Sequence, residues 1–160
     1  LGIYTRDVTG VRTENVNSSM DYATIQKRVR SAIEDYFKLE LGRPEILNRI
    51  GENIVVFDYI RPAVAKLILE SQVEKIVKYL RKEKKITLEI SDTAMATLLE
   101  ESLQNLQNGA RGIGNIVESM LINPLSRYLF DNKIGENTKL NIKSIDSEKT
   151  PTEMDCEVVV

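Results

Sequence analysis

The sequence predicts a helix-rich α/β fold of the α+β kind, and three observations carry that expectation. Apolar residues recur at helical spacing over most of the chain. Period-two or β-branched runs are short and few, at residues 53–59, 86–90 and 140–145. The composition, 42% hydrophobic and 29% charged over 160 residues, is that of an ordinary globular chain able to bury a core without disulfide staples. That length is one domain, or one and a small part.

Residues 1–20 are polar, rich in turn formers and without period, and read as a loop. Ser18 or Ser19 is expected to cap the first helix, with Asp21 adding negative charge to its first turn. Tyr22, Ile25, Val29, Ile33, Tyr36 and Phe37 define that helix to about Leu41, where Gly42 stops it. Pro44 suits the first position of a two-turn helix, PEILNRI, ended by Gly51. Ile46, Leu47 and Ile50 are expected to enter the core. Asn53–Tyr59 (NIVVFDY) reads as a strand. A seam falls at Tyr59 to Pro62. Pro62 opens a long helix to about Lys82, with Ala65, Leu67, Ile68, Leu69, Val73, Ile76, Val77 and Leu80 as its apolar stripe. Ile86–Ile90 alternates like a half-buried strand. Ser91 caps the next helix, which runs through Met95, Leu98, Leu99 and Leu103 to about Leu106. Asn108-Gly109 breaks it. Another helix starts near Arg111, and Pro124 predicts a kink or restart, with Asn123 as the cap. Asn132–Asn137 is a turn, and Leu140, Ile142 and Ile145 mark a last strand. The tail from Asp146 is acidic, and Cys156–Val160 suits an edge strand.

Several function classes are excluded at once. The chain has no histidine, which removes Ser-His and Cys-His nucleophile pairs and histidine metal sites. Cys156 is the single cysteine, so no intrachain disulfide forms, and an unpaired thiol suits a cytoplasmic location. No metal site is expected. No apolar run approaches the roughly 20 residues of a membrane span, so no membrane partner is expected, and no signal peptide opens the chain. A net charge of −2 gives no global pull toward nucleic acid. The chain begins at Leu1 and its first methionine is Met20, which fits a piece of something larger.

No GxxxxGK[ST] phosphate loop is present, and no GxGxxG follows a strand. Gly109, Gly112 and Gly114 are spaced G-x-x-G-x-G at a helix start, a weak match to a dinucleotide loop. Glu100 and Glu101 are consecutive, diverge by about 100° on a helix, and read as a solvated face rather than an acid/base pair. KIVKYLRKEKK (75–85) carries six basic residues and one acid. It suits phosphate contact, or simply a helix end whose lysines complement the dipole. Arg49 leaves the end of its short helix in a different direction from Asn48. Its planar fork suits phosphate across a surface, the alternative being a surface salt bridge. Arg111 sits at a glycine-flanked helix entrance, where backbone N–H groups and a guanidinium make an anion site. The alternative is a snorkelling arginine.

The segment GRPEILNRIGENIVVFDYI resembles the arginine-finger region of the Clp-type AAA+ unfoldases. NGARGIGNIVESMLINPLSRYLF resembles their sensor-2 region, and ITLEISDTAMATLLEE, between them, a third segment of the same family. Leu1-Gly2 resembles the end of its sensor-1 strand. The likeness covers roughly residues 21–145 in the right order. It departs from the family at Gly112, where many relatives have proline, at Gly51, where aspartate is common, and at LQNLQN before the GAR motif.

The resemblance implies that residues 1–60 are the C-terminal part of a large AAA+ α/β ATPase subdomain. Residues 61–160 would be a mostly helical small lid subdomain with a short β-sheet and an acidic tail. It makes Arg49 the arginine finger, reaching ATP bound by a neighbouring subunit. It makes Arg111 sensor 2, contacting nucleotide in its own subunit beside Gly109 and Ala110. It implies ATP and Mg2+ as cofactors of a full-length protein, and none bound by this chain alone, which lacks the phosphate-loop lysine and the magnesium-holding acids. The implied function is a chaperone or unfoldase coupling ATP hydrolysis to remodelling of substrate proteins. The implied assembly is a ring of copies of itself, a hexamer at full length, with a protease as a further partner. Two alternatives remain at this point. One is a non-catalytic assembly module docking partners through its helical lid. The other is a weakly nucleic-acid-binding helical module using residues 75–85.

Overall fold

Tyr4–Arg6 (β1) and Arg12–Glu14 (β2) pair as an antiparallel hairpin where the sequence predicts a loop. The computed structural model describes residues 2–6 and 10–159. Leu1, half of the sensor-1 likeness, and Val160, at the end of the expected edge strand, lie outside them. Hairpin β1–β2 has no apolar alternation to betray it. Cross-strand pairs hold it instead: Thr5 and Thr13 hydroxyls at 3.3 Å, and Arg12 stacked 4.0 Å over the Tyr4 ring.

Tyr22–Asp35 (α1) is capped by Asp21, not by Ser18 or Ser19. Asp21 accepts from the Thr24 N–H at 3.0 Å and from the Thr24 hydroxyl at 2.6 Å, which holds its carboxyl below the ordinary range. Ser19 is engaged in the preceding turn, where its hydroxyl donates to Asn17 at 2.6 Å. A π-helical turn, Tyr36–Glu40, carries the helix on to Leu41, and Gly42 ends it with φ of +64°. Pro44–Ile50 (α2) follows as expected.

The segment 53–59 is not a strand. It is extended and alternates like one, with Val56 buried and Val55 and Phe57 exposed at 73% and 87%. Yet no backbone ladder forms along it among the described residues, and a strand exists only through its partner. Side chains of α1 hold it instead. Tyr22 donates to the Val56 carbonyl at 2.9 Å and Arg30 to the Ile54 carbonyl at 2.8 Å. Val16, Ile25, Val29 and Val56 form the small core of this first unit, which ends at Tyr59.

The second unit runs from Ile60. Pro62–Glu83 (α3) buries Ala65, Leu69, Val73 and Leu80. Leu67, expected on that stripe, is 64% exposed because it lies off the buried face. Thr87–Ile90 (β3), Lys139–Asp146 (β4) and Glu153–Val159 (β5) form one sheet in the order β3-β4-β5. β3 and β4 are parallel, and β4 and β5 antiparallel. β5 begins three residues before the expected edge strand, within the acidic tail. Two of its acids are paired, Glu157 with Lys143 of β4 at 2.8 Å and Glu153 with Lys149 of the preceding loop at 2.6 Å.

Asp92–Gln104 (α4) is capped by Ser91, whose hydroxyl accepts from the Ala94 N–H at 3.1 Å. Gly109–Val117 (α5) and Asn123–Asp131 (α6) are joined by a π-helical turn, Glu118–Ile122. Pro124 has no N–H and would crowd a regular turn, so the helix widens before it rather than restarting. Asn123 is therefore a helical residue with its N–H on the Glu118 carbonyl, not a cap. The core gathers Leu69, Leu98, Ile113, Leu121, Leu140 and Ile142 between helices and sheet. The unit is a helix-rich α/β small domain.

Candidate functional site

Two arginines are the candidate site residues, one in each unit, and each stands in its own local frame. Arg49 lies in the last turn of α2, before Gly51, whose positive φ of +54° turns the chain out of the helix. Contrary to the sequence reading, α2 buries none of its residues, so Ile46, Leu47 and Ile50 do not enter a core. The helix is held by its ends: the Gly51 N–H reaches the Leu47 carbonyl at 2.9 Å, and Asn53 donates twice to the Ile50 carbonyl, at 3.1 and 3.0 Å. The carboxylates nearest Arg49 in sequence are both committed elsewhere. Glu45 faces Arg43 at 3.7 Å, and Glu52 faces Arg30 at 3.3 Å. Arg49 is exposed and forms no ion pair or hydrogen bond among the described residues. Among the described residues, the alternative of a surface salt bridge is not formed.

The frame around α2 is polar but organised. Arg30 bridges Glu52 and the Ile54 carbonyl, so one side chain ties α1 to the segment following α2. Tyr59 donates to the Val16 carbonyl at 3.0 Å. Burial pushes its phenol above the ordinary value, and the charges of Glu14 and Tyr4 add to that.

Arg111 lies in the first turn of α5. Gly109 opens that helix with φ of +62°, a backbone state that favours glycine. No side chain caps the helix start, and Ala110 and Arg111 are both exposed. Arg111 forms no ion pair or hydrogen bond among the described residues. A helix N-terminus without a side-chain acceptor, next to an uncompensated guanidinium, is an arrangement that favours an anion.

Gly112 is a positioning residue that the sequence reading noted but did not explain. A Cβ there would lie 2.5 Å from the Asn105 carbonyl oxygen and 3.0 Å from the Asn108 Cβ. The 3-10 turn Leu106–Asn108 thus packs directly on the first turn of α5. Asn105 is fixed in turn by its own bond to the Glu101 carbonyl at 2.9 Å. No signal in the local sequence reports this contact, because it joins two elements through a missing side chain. Among the described residues, no cluster of acids and thiols is arranged to hold a metal, and no helix is long and apolar enough to cross a membrane.

Residues 61–142 match the family described as the C-terminal, D2-small domain, of ClpB protein. The chain is similar to the chaperone protein ClpB of Staphylococcus aureus, 32% identical over 142 residues, with 84% of this chain and 15% of the relative covered. It is 30% identical to that of Meiothermus ruber over 131 residues, covering 82% of this chain and 14% of the relative. It is 28% identical to chaperone protein ClpB 1 of Synechocystis sp. over 152 residues, covering 89% and 16%. The chain thus spans about one-seventh of the length of the curated relatives it matches.

Proposed function

The chain belongs to the ClpB family of Clp-type AAA+ proteins through its C-terminal, D2-small domain, and on that premise we propose that it supplies two phosphate-facing arginines to a ring-forming ATPase that remodels proteins. Arg49 acts as an arginine finger on nucleotide held by a neighbouring subunit. Arg111 acts as sensor 2 on nucleotide held by its own subunit, at the α5 N-terminus opened by Gly109 and Ala110. The first unit is read as part of a large ATPase subdomain and the second as the small lid subdomain. A hexameric ring is the proposed assembly.

The observation that carries this reading is the absence of counter-ions at both arginines among the described residues, although acids lie close in sequence to Arg49. An arginine committed to a salt bridge would have to give it up to meet phosphate. These two do not. Each arginine's donors also fit a phosphate: a guanidinium fork at Arg49, and at Arg111 a guanidinium fork beside a helix start without a side-chain acceptor. Bound with Mg2+, ATP would supply the transferable γ-phosphoryl group. This chain's residues would hold charge against its oxygens and orient it, which is the larger part of catalysis in such reactions. We assign no residue of this chain to the magnesium.

The test uses the full-length protein. Arg49→Ala is expected to lower ATP turnover by roughly 10³-fold or more, while ATP binding persists. Arg111→Ala is expected to weaken nucleotide binding and turnover together. Turnover near wild type in Arg49→Ala removes the finger assignment.

A further inference from the structure

We propose that Arg30 is the positioning residue of Arg49: through its bond to the Ile54 carbonyl it holds the C-terminal end of α2 in place on α1. The inference rests on the arginine-finger reading of Arg49. A helix of seven residues is too short to be stable by itself. This one buries none of its residues, and Leu47 and Ile50 are only half-buried. It therefore has no packed face to fix its rotation or its distance from α1. Its place depends on tethers at its two ends. At the N-terminal end the Arg43 N–H donates to the Phe37 carbonyl at 2.8 Å. The C-terminal end, where Arg49 stands, is tethered by a chain of bonds. Asn53 closes on the Ile50 carbonyl with its backbone and side-chain N–H groups, so the turn from Ile50 to Asn53 moves as one piece. The next residue, Ile54, offers its carbonyl to the Arg30 guanidinium at 2.8 Å, and Glu52 takes the other arm at 3.3 Å. Tyr22, the other α1 donor to this segment, bonds further along, at Val56.

The two arms of Arg30 are unequal. The Glu52 side chain is 98% exposed, so its ion pair is screened by water and holds little. The bond to the Ile54 carbonyl is shorter, partly buried and made by a charged donor, so it carries the tether. Both arms are spent inside the first unit, so Arg30 acts through Arg49 and not on nucleotide. A loosened tether would leave a nucleotide site intact but displace the Arg49 guanidinium from the charge it is to meet. A misplacement of about 1 Å in such a group can cost roughly 100-fold in rate.

The test is a double-mutant cycle in the full-length protein, read as ATP turnover and ATP affinity. Arg30→Met keeps the apolar stem and removes both donors. Turnover should fall roughly 10- to 100-fold with ATP affinity unchanged. Arg30→Lys, with one N–H able to reach the Ile54 carbonyl, should recover most of that loss. Glu52→Gln should stay close to wild type. In an Arg49→Ala background, Arg30→Met should cause no further loss, because the group it places is gone. Should Arg30→Met fail to form rings, Arg30→Lys completes the same cycle, its smaller loss vanishing beside Arg49→Ala. The proposal is overturned if Arg30→Met turns over ATP like wild type, or if Glu52→Gln loses as much as Arg30→Met. It is also overturned if the losses from Arg30 and Arg49 multiply, which is the mark of a merely structural role. An inactive Arg49→Ala beside a fully active Arg30→Met removes this proposal alone. A fully active Arg49→Ala removes the finger reading, and this proposal with it.

Discussion

Alanine at Gly112 and alanine at Gly114 should shift stability in opposite directions, although both lie in α5, two residues apart. At Gly114 a Cβ would meet only the tip of the Gln72 side chain, at 3.8 and 4.0 Å, which is ordinary contact. Helix propensity then dominates, and Gly114→Ala should stabilise by about 0.5–1 kcal/mol. At Gly112 the Cβ would lie 2.5 Å from the Asn105 carbonyl oxygen, about 0.8 Å inside the roughly 3.3 Å of the closest C–H···O contacts. That neighbour is backbone, so the 3-10 turn or the helix must move. Overpacking of this kind costs about 1–3 kcal/mol, against a propensity gain of about 1 kcal/mol. Gly112→Ala should therefore be destabilising by up to about 2 kcal/mol, leaving the two variants about 1–3 kcal/mol apart. Thermal unfolding followed by far-UV circular dichroism should place the Gly112→Ala midpoint below that of Gly114→Ala by at least about 2 °C. Equal midpoints, or a Gly112→Ala chain as stable as Gly114→Ala, would refute the close packing of this turn on the Arg111 helix.

Leu98 is fully buried at the centre of the second core, and Leu98→Ala should cost about 2–5 kcal/mol, measured by urea denaturation. Burial, with the charge of Asp155 adding to it, pushes the Cys156 thiol up to about 11. Its alkylation rate at pH 8 should then fall roughly 100-fold or more below that of an exposed thiol and keep rising through pH 10; a plateau near pH 9 would contradict this. The folded-state pKa of Asp21 is depressed below the ordinary 3.8, so its contribution is present above that value and lost as pH falls through the lower folded one. The stability gap between wild type and Asp21→Ala should accordingly narrow below pH 3.8, and a gap unchanged at lower pH would show that the cap does not titrate.

What was legible in the sequence was whatever rests on local period. The helices of the second unit, from Pro62 through the Ser91 cap to the Pro124 region, follow from apolar spacing and punctuation by Gly, Pro and Ser. Strands β3 and β4 alternate visibly, because one face of each is buried. The failures share a cause, dependence on a partner. Segment 53–59 has the residues of a strand but no ladder among the described residues, and its carbonyls take side-chain donors instead. The β1–β2 hairpin has three-residue strands, too short for a period, and holds by cross-strand pairs. Asp21 outcompetes Ser18 and Ser19 as cap because Thr24 offers it two donors at once. Of the candidate site, the exposure of Arg49 and Arg111 was readable from their positions. The lack of a counter-ion at Arg49 among the described residues was not, because it depends on where Glu45 and Glu52 turn in three dimensions.

The central claim is that Arg49 and Arg111 serve different subunits, and mixing two defective variants of the full-length protein tests it directly. Arg49→Ala subunits keep their own nucleotide site, and Arg111→Ala subunits keep their finger. In randomly mixed rings, an interface between the first kind's site and the second kind's finger is fully wild type. With equal amounts and independent sites, about a quarter of interfaces are of this sort, so ATP turnover should recover to about a quarter of wild type from two parents that are nearly inactive alone. Turnover that stays at the level of the parents, with mixed rings verified, would contradict the assignment of the two arginines to different subunits.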